Sequence, residues 1–247
     1  MLKKVNLFVL PHAGGHSHSY QGFEKFIASN IKIIPLEYPG RGTRAGESLI
    51  GEIHALVDDI FEQIKNRISS PFAIYGHSMG ALVGILLVHK IIENTQRYPL
   101  HFFASGACGP TVKDKSEIYH LNSNDFWAEL ANQGGIAKEI LKDQDLKNYL
   151  EPILRNDAKV TELYHHDADY SMKSIPITVF MGSDDQIAPA NQAISWQKET
   201  TLPITIFEFK GGHFFIFDEI QKITRIFNEK ISEKSKHQEA KLIHKNF

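Results

Sequence analysis

The stretch that most constrains this chain is Phe72-Ala73-Ile74-Tyr75-Gly76-His77-Ser78-Met79-Gly80. It opens as a short apolar run of the kind that makes a buried strand. It then meets Gly-x-Ser-x-Gly, and Ala81-Leu82-Val83-Gly84-Ile85-Leu86-Leu87-Val88 follows as a buried helix. Strand, sharp turn and helix are the setting in which Gly-x-Ser-x-Gly forms a nucleophile elbow, with the serine raised above a sheet. The pentapeptide alone is weak evidence, because small-residue turns match it by chance. Glycine at 76 and 80 removes side chains that would crowd the neighbouring strand and helix. The backbone N–H groups of Ser78 and Met79 then lie near a helix N-terminus, where such groups stabilise an oxyanion.

The rest of the chain repeats the alternation. Val5–Leu10, Ile31–Leu36, His101–Gly106, Ile175–Met181 and Ile204–Phe209 read as further strands. Leu49, Ile50, Ile53, Leu56, Val57, Ile60, Ile64 and Ile68 recur at helical spacing and predict one long amphipathic helix. Strands alternating with helices predict an α/β fold whose mainly parallel sheet is covered on both faces. Only the region between the fourth and fifth strands breaks this rhythm. It runs for about seventy residues, with helical patterns at 125–131, 136–141 and 145–161 and no strand pattern. A stretch of that length between strands is read as a helical lid, about 111–174, inserted at the end of the sheet where a site forms. A last helix is expected through Ile231, and the lysine-rich stretch of about 232–247 is read as a solvated or frayed tail.

A chain of 247 residues with 42% apolar content suits one such domain. The net charge of −2 gives no reason to expect nucleic acid as a partner. One cysteine, Cys108, excludes an internal disulfide framework and fits a reducing, cytoplasmic setting. No apolar run reaches membrane-spanning length, and the apolar N-terminus is too short for a signal peptide. A monomer is expected.

A serine nucleophile needs a base, and the base needs an orienting acid. In α/β-hydrolases the chain order is serine, acid, histidine. Here Ser78 is followed by Gly182-Ser183-Asp184-Asp185 after the fifth strand and His213 after the sixth. All three follow strand ends on one side of the sheet. The acid usually stands three residues after the glycine that closes its strand, which selects Asp185; Asp184 is then a turn carboxylate capping the helix near Pro189. His213 is selected from thirteen histidines by position. His77 sits too close to Ser78 to reach its hydroxyl. His165 and His166 read as a solvated helix face. His12, His16 and His18 lie near the site without carboxylate or thiolate companions at metal spacing, so no metal is expected. The oxyanion hole needs a second N–H beside that of Met79, from the loop after the first strand. In Pro11-His12-Ala13-Gly14-Gly15 that donor is Ala13.

Four motifs together carry a family resemblance. Leu10-Pro11-His12-Ala13-Gly14-Gly15, Tyr38-Pro39-Gly40-Arg41-Gly42 with Arg44, Gly76-His77-Ser78-Met79-Gly80 and Gly211-Gly212-His213-Phe214-Phe215 resemble the type II thioesterases. These are the editing hydrolases of non-ribosomal peptide and polyketide assembly lines, akin to the medium-chain thioesterase of animal fatty-acid synthesis. The lid stretch Leu150–Asp157 with Glu162-Leu163-Tyr164 is similar to theirs too. The likeness runs over about residues 5–230. It departs where the family usually has an arginine, in Ser105-Gly106-Ala107-Cys108-Gly109-Pro110, and at Asn156, where alanine is usual and no consequence is expected.

The resemblance implies an α/β-hydrolase fold and no cofactor. It implies a thioesterase that removes wrong or stalled acyl groups from the phosphopantetheine arm of acyl or peptidyl carrier proteins. Catalysis would fall to Ser78, Asp185 and His213, with Met79 and Ala13 as the oxyanion hole. Two rivals are an ester hydrolase and a non-catalytic binding protein on the same fold, the second of which is expected to lack a member of the triad.

Overall fold

The structure is a computed structural model that describes residues 4–112, 117–136, 138–166 and 173–244, with the side chains of 138 and 234–244 left out. Among these residues six strands form one sheet: β1 (Val5–Leu10), β2 (Ile31–Pro35), β3 (Phe72–His77), β4 (Phe102–Ser105), β5 (Ile177–Gly182) and β6 (Thr205–Phe209). Every pairing is parallel, in the order β2-β1-β3-β4-β5-β6. The helices are α1 (Ile53–Ile64), α2 (Met79–Thr95), α3 (Ser123–Asn132), α4 (Lys138–Lys142), α5 (Gln144–Glu162), α6 (Phe215–Asp218) and α7 (Ile220–His244).

The inner strands β3, β4 and β5 are buried at every position and draw on continuous apolar runs, whereas the edge strands β2 and β6 expose Lys32, Ile206 and Glu208. One face of the sheet packs α1 and α2, through Leu56, Ile60, Val83 and Leu87 against Phe8, Ile74 and Phe102. The other packs α7 and the 3₁₀ segment Ser17–Lys25, through Ile223, Phe227, Tyr20 and Phe23 against Tyr75, Phe103 and Phe180. The helices between β4 and β5 hold a smaller core of their own, from Ile118, Phe126, Trp127, Leu130 and Leu154.

Two expectations on helix limits need correction. Helix α1 begins at Ile53, not Leu49, because the Glu52 carboxylate accepts from the N–H groups of His54 and Ala55 and fixes the start there. The apolar spacing continues outside the helix at both ends. Helix α7 runs to His244, well past Ile231 and through the stretch read as a solvated tail. That stretch holds four lysines and two glutamates, good helix formers with no apolar stripe to betray them. Residues 245–247, and 113–116, 137 and 167–172 of the expected lid, lie outside the described residues. No helix among the described residues is long and apolar enough to cross a membrane.

The chain reverses direction across the sheet at β1, which pairs with β2 on one side and β3 on the other. In parallel sheets ligands bind beyond the carboxyl ends of strands at such a point. The elbow makes the closest backbone approach there. A Cβ on Gly76 would land on the Gly80 carbonyl, and one on Gly80 would land on the Leu10 carbonyl. We expect Gly80→Ala to lower the unfolding free energy by about 3 kcal/mol or more, since backbone on either side cannot yield. Gly46 has nothing within 4 Å of an added Cβ, and Gly46→Ala should stay within about 0.5 kcal/mol of wild type. Urea unfolding of the two variants checks this; equal midpoints would contradict the elbow packing.

Candidate active site

Ser78 sits between β3 and α2 with φ 55° and ψ −122°. This is a left-handed, strained conformation for a residue with a side chain, of the kind that surrounding structure must enforce. The tight backbone packing at Gly76 and Gly80 enforces it. Its N–H donates to the Ser105 carbonyl at 2.8 Å, so of the two elbow amides considered for an oxyanion only Met79 is left.

His213 arrives from the loop between β6 and α6. The backbone runs close there, since a Cβ on Gly182 would meet the Gly211 and Gly212 carbonyls at 2.7 Å. The His213 Nε2 lies 3.0 Å from the Ser78 Oγ, and its Nδ1 lies 2.8 Å from Asp185 Oδ2. Both His213 and Asp185 are buried. Asp185 Oδ1 accepts from the N–H groups of Ile187 and Ala188, at 2.9 and 3.0 Å, which locks the carboxylate in place. An acceptor at Nδ1 holds the proton on that nitrogen and leaves Nε2 free to take the serine proton. Asp184 differs from the expectation. Its carboxylate accepts from the Ser183 hydroxyl, and Asp185 itself makes the turn contacts that were assigned to it.

The loop after β1 stands over the serine and is pinned along its length. Tyr38 donates to the Pro11 carbonyl at 3.2 Å, and the His12 N–H donates to the Tyr20 hydroxyl at 3.3 Å. Gly15 N–H bonds back to the His12 carbonyl at 2.9 Å, and Ser17 donates twice to Glu37. Gly14, at φ 72°, donates to Asp157 Oδ2 at 2.8 Å. Ala13 in this loop and Met79 at the start of α2 lack such a tie. Neither amide N–H has a hydrogen-bond partner among the described residues, and both residues line the cavity that holds Ser78 and His213.

Asp157 and Arg41 form a buried bidentate pair across the sequence, with Arg41 Nη2 2.7 Å from Asp157 Oδ1. Burial opposes the Arg41 charge, but its bonds to Asp157 outweigh that and raise its pKa. Sequence reasoning placed both residues inside motifs and gave neither a role. One signal was available: Asp157 falls among Ile153, Leu154 and Val160 on the buried face of α5, where an unpaired carboxylate is costly. Asn156, expected to be without consequence, donates to the Ile50 carbonyl at 2.8 Å and ties α5 to the segment before α1.

Two further histidines flank His213. The His12 Nδ1 is 3.1 Å from the Tyr20 hydroxyl, and that hydroxyl already accepts from the His12 N–H. Burial, then the charges of His213, His16 and Arg41, lower the His12 pKa to about 3. His77 is fully buried, with Nδ1 3.0 Å from the Ser105 hydroxyl. Burial first, then His213 and His12, hold its pKa well below the usual histidine value. A proton gained by His213 thus meets neutral neighbours.

The cavity above Ser78 measures about 950 Å³, and a second, of about 290 Å³, adjoins it at His12, Ala13 and Leu154. Helix α5 walls the larger one through Leu154, Ala158 and Thr161. His165 and His166, read as a solvated helix face, lie past the end of α5 and line it as well. Cys108, in the segment where the resembling family has an arginine, also faces it.

A strained serine elbow, a histidine and a carboxylate in this chain order above a parallel sheet define an α/β-hydrolase fold. Within that class the chain belongs to the thioesterase family, whose Thioesterase domain model matches residues 5–231. It is 30% identical over 216 residues to the gramicidin S biosynthesis protein GrsT of Aneurinibacillus migulanus, covering 87% of this chain and 84% of that one. To the medium-chain S-acyl fatty acid synthase thioesterase of Rattus norvegicus it is 28% identical, over 85% of this chain and 81% of the relative. Among solved structures, ClbQ from the colibactin NRPS/PKS pathway superposes with a TM-score of 0.89 at 27% identity, over 94% of this chain and 98% of that one.

The His12 ring should show no titration by NMR from roughly pH 5 to 9, far from the ordinary histidine behaviour. Unfolded, His12 binds a proton near 6.5; folded, it does so only near 3. The unfolded state therefore holds more protons in that window, and this residue's share of stability falls as pH drops from about 6.5 towards 3. A His12 midpoint near 6.5 would contradict the described environment.

Proposed function

We propose that this thioesterase edits carrier-bound intermediates, with Ser78, His213 and Asp185 as its catalytic triad and the Met79 and Ala13 amides as its oxyanion hole. The observation that carries the reading is the pair of partnerless amides beside a serine already hydrogen-bonded to His213. His213 takes the Ser78 proton as Oγ attacks the thioester carbonyl. The two amides stabilise the oxyanion, at about 3 kcal/mol per donor in comparable sites. The thiol leaves with the proton held by His213, and water, activated by the same imidazole, cleaves the acyl-enzyme. Nucleophile, base, acid and both donors come from one chain, so a monomer suffices.

The substrate follows from the relatives and the cavity together. GrsT belongs to gramicidin S biosynthesis and ClbQ to an NRPS/PKS pathway. In such pathways acyl groups ride on the phosphopantetheine arms of carrier proteins, and a cavity of about 950 Å³ has room for an arm and an acyl group. The helices between β4 and β5 act as the lid over this space. Its α5 is fastened to the rest of the chain by Asn156 and Asp157, and α3 is tied to α5 through Ser123 and Trp127, which both donate to Glu151. With its single cysteine the chain suits the reducing cytoplasm, where carrier-bound synthesis proceeds.

One acyl group presented on a carrier, on free pantetheine and on an alcohol separates the readings. The carrier thioester should give the highest kcat/KM, and a fluorophosphonate should label Ser78 once per chain, with Ser78→Ala losing both label and turnover. Preference for the alcohol ester would point to an ester hydrolase, and wild-type turnover by Ser78→Ala would end the proposal. In the same assay Asp185→Asn should lower kcat about 10⁴-fold by favouring the wrong imidazole tautomer. Asp184→Asn should stay near wild type, and the reverse ranking would show that the wrong carboxylate is assigned.

A further inference from the structure

The loop over Ser78 is held from its own neighbourhood at every anchored point but one. Pro11, His12, Gly15 and Ser17 are fixed by Tyr38, Tyr20, the loop itself and Glu37. Gly14 is fixed from helix α5, by an aspartate 143 residues further along the chain. That aspartate is 1% exposed, and among the described residues its carboxylate bonds Arg41 and this one amide alone.

The Gly14 and Ala13 amides flank the same Cα. Tyr20 fixes the chain on the other side, at the His12 N–H. With both neighbours held, the direction of the Ala13 N–H is set without any partner of its own. We propose that Asp157, with its charge neutralised by Arg41, is a positioning residue for the oxyanion hole. This rests on the assignment of Ala13 as a hole donor.

The chemistry accounts for each group. A carboxylate accepts from Gly14 and from both Arg41 nitrogens at once; an amide cannot, because its NH₂ would face a donor in either orientation. A lone buried carboxylate behind the loop would oppose the oxyanion, and the bidentate Arg41 cancels it. Arg41 is in turn oriented by the Tyr38 ring, with its guanidinium carbon 5.3 Å from the ring centroid, and Tyr38 also holds Pro11. The Tyr-Pro-Gly-Arg-Gly motif is thus a bracket for the Pro-His-Ala-Gly-Gly loop. Because Leu154 and Ala158, on either side of Asp157, line the cavity, the same bond fixes a cavity wall relative to the hole.

The test separates positioning from mere structure. Two variants are used: Asp157→Asn, and Arg41→Met with Asp157→Leu, which removes both buried charges together, the exchange such pairs tolerate best. Each is checked for folding by circular dichroism and thermal midpoint. Three quantities are compared with wild type: kcat on an acyl-carrier substrate, affinity for a thioether trifluoromethyl ketone that forms a tetrahedral adduct on Ser78, and affinity of the Ser78→Ala form for the intact acyl-carrier. In every variant that folds, kcat and ketone affinity should fall together by about 10- to 100-fold, as misplacement of a hole donor does elsewhere. Ground-state binding of the acyl-carrier should change little. Wild-type kcat and ketone affinity in either folded variant, or a parallel loss of all three quantities, would overturn the proposal. If neither variant folds, the pair is a structural requirement and the positioning role is rejected. A wild-type enzyme that neither turns over the substrate nor binds the ketone would instead overturn the assignment of Ser78 and Ala13.

Discussion

The structure depends on one close backbone approach, that of α2 to the end of β1. Two carbonyls, of Leu10 and Gly80, occupy the space where side chains at 80 and 76 would otherwise stand. This brings the N-terminus of α2 up to the loop after β1 and drives Ser78 into its left-handed turn. The same contact places the Met79 and Ala13 amides beside a common cavity. Strain at the serine is therefore the local consequence of packing that positions everything around it, a pattern expected where a site is held ready in advance.

Around that contact the electrostatics are kept quiet. His12 and His77 are both near His213, and both are held neutral chiefly by burial. Close to the loop, Arg41 and Asp157 neutralise each other through two hydrogen bonds, and Asp157 also accepts from the Gly14 N–H. Buried ion pairs of this kind contribute little net stability, because desolvation offsets their attraction. Geometry is a better reason for this one: it joins three segments that no apolar contact could align as narrowly, the turn after β2, the loop after β1 and helix α5.

Local features of the sequence carry most of the fold. Apolar runs closed by glycine or proline mark the six strands within a residue or two; β3, β4 and β5 are buried at every position, while the edge strand β6 exposes Ile206 and Glu208. Chain order then selects Ser78, Asp185 and His213, and the folded chain brings these three within hydrogen-bond reach. What sequence reasoning misses is non-local or lacks a period. Leu49 and Ile50 keep the spacing of α1, yet the Glu52 carboxylate decides its first turn. The end of α7 has helical propensity without an apolar stripe. Arg41 and Asp157 are 116 residues apart, and only the fold makes them partners. Asp184 and Asp185 are adjacent, and spacing from Gly182 points to Asp185, but the capping contacts expected of Asp184 fall to Asp185 as well, because the turn aims that carboxylate at both His213 and two amides.

The central claim is that the Met79 and Ala13 amides await an oxyanion. A crystal structure of the enzyme with a tetrahedral adduct on Ser78, formed from a trifluoromethyl ketone, tests it most directly. The account predicts the adduct oxygen at about 2.7–3.1 Å from both amide nitrogens, with the loop after β1 unmoved. An adduct oxygen directed at solvent, or at donors other than these two, would contradict it.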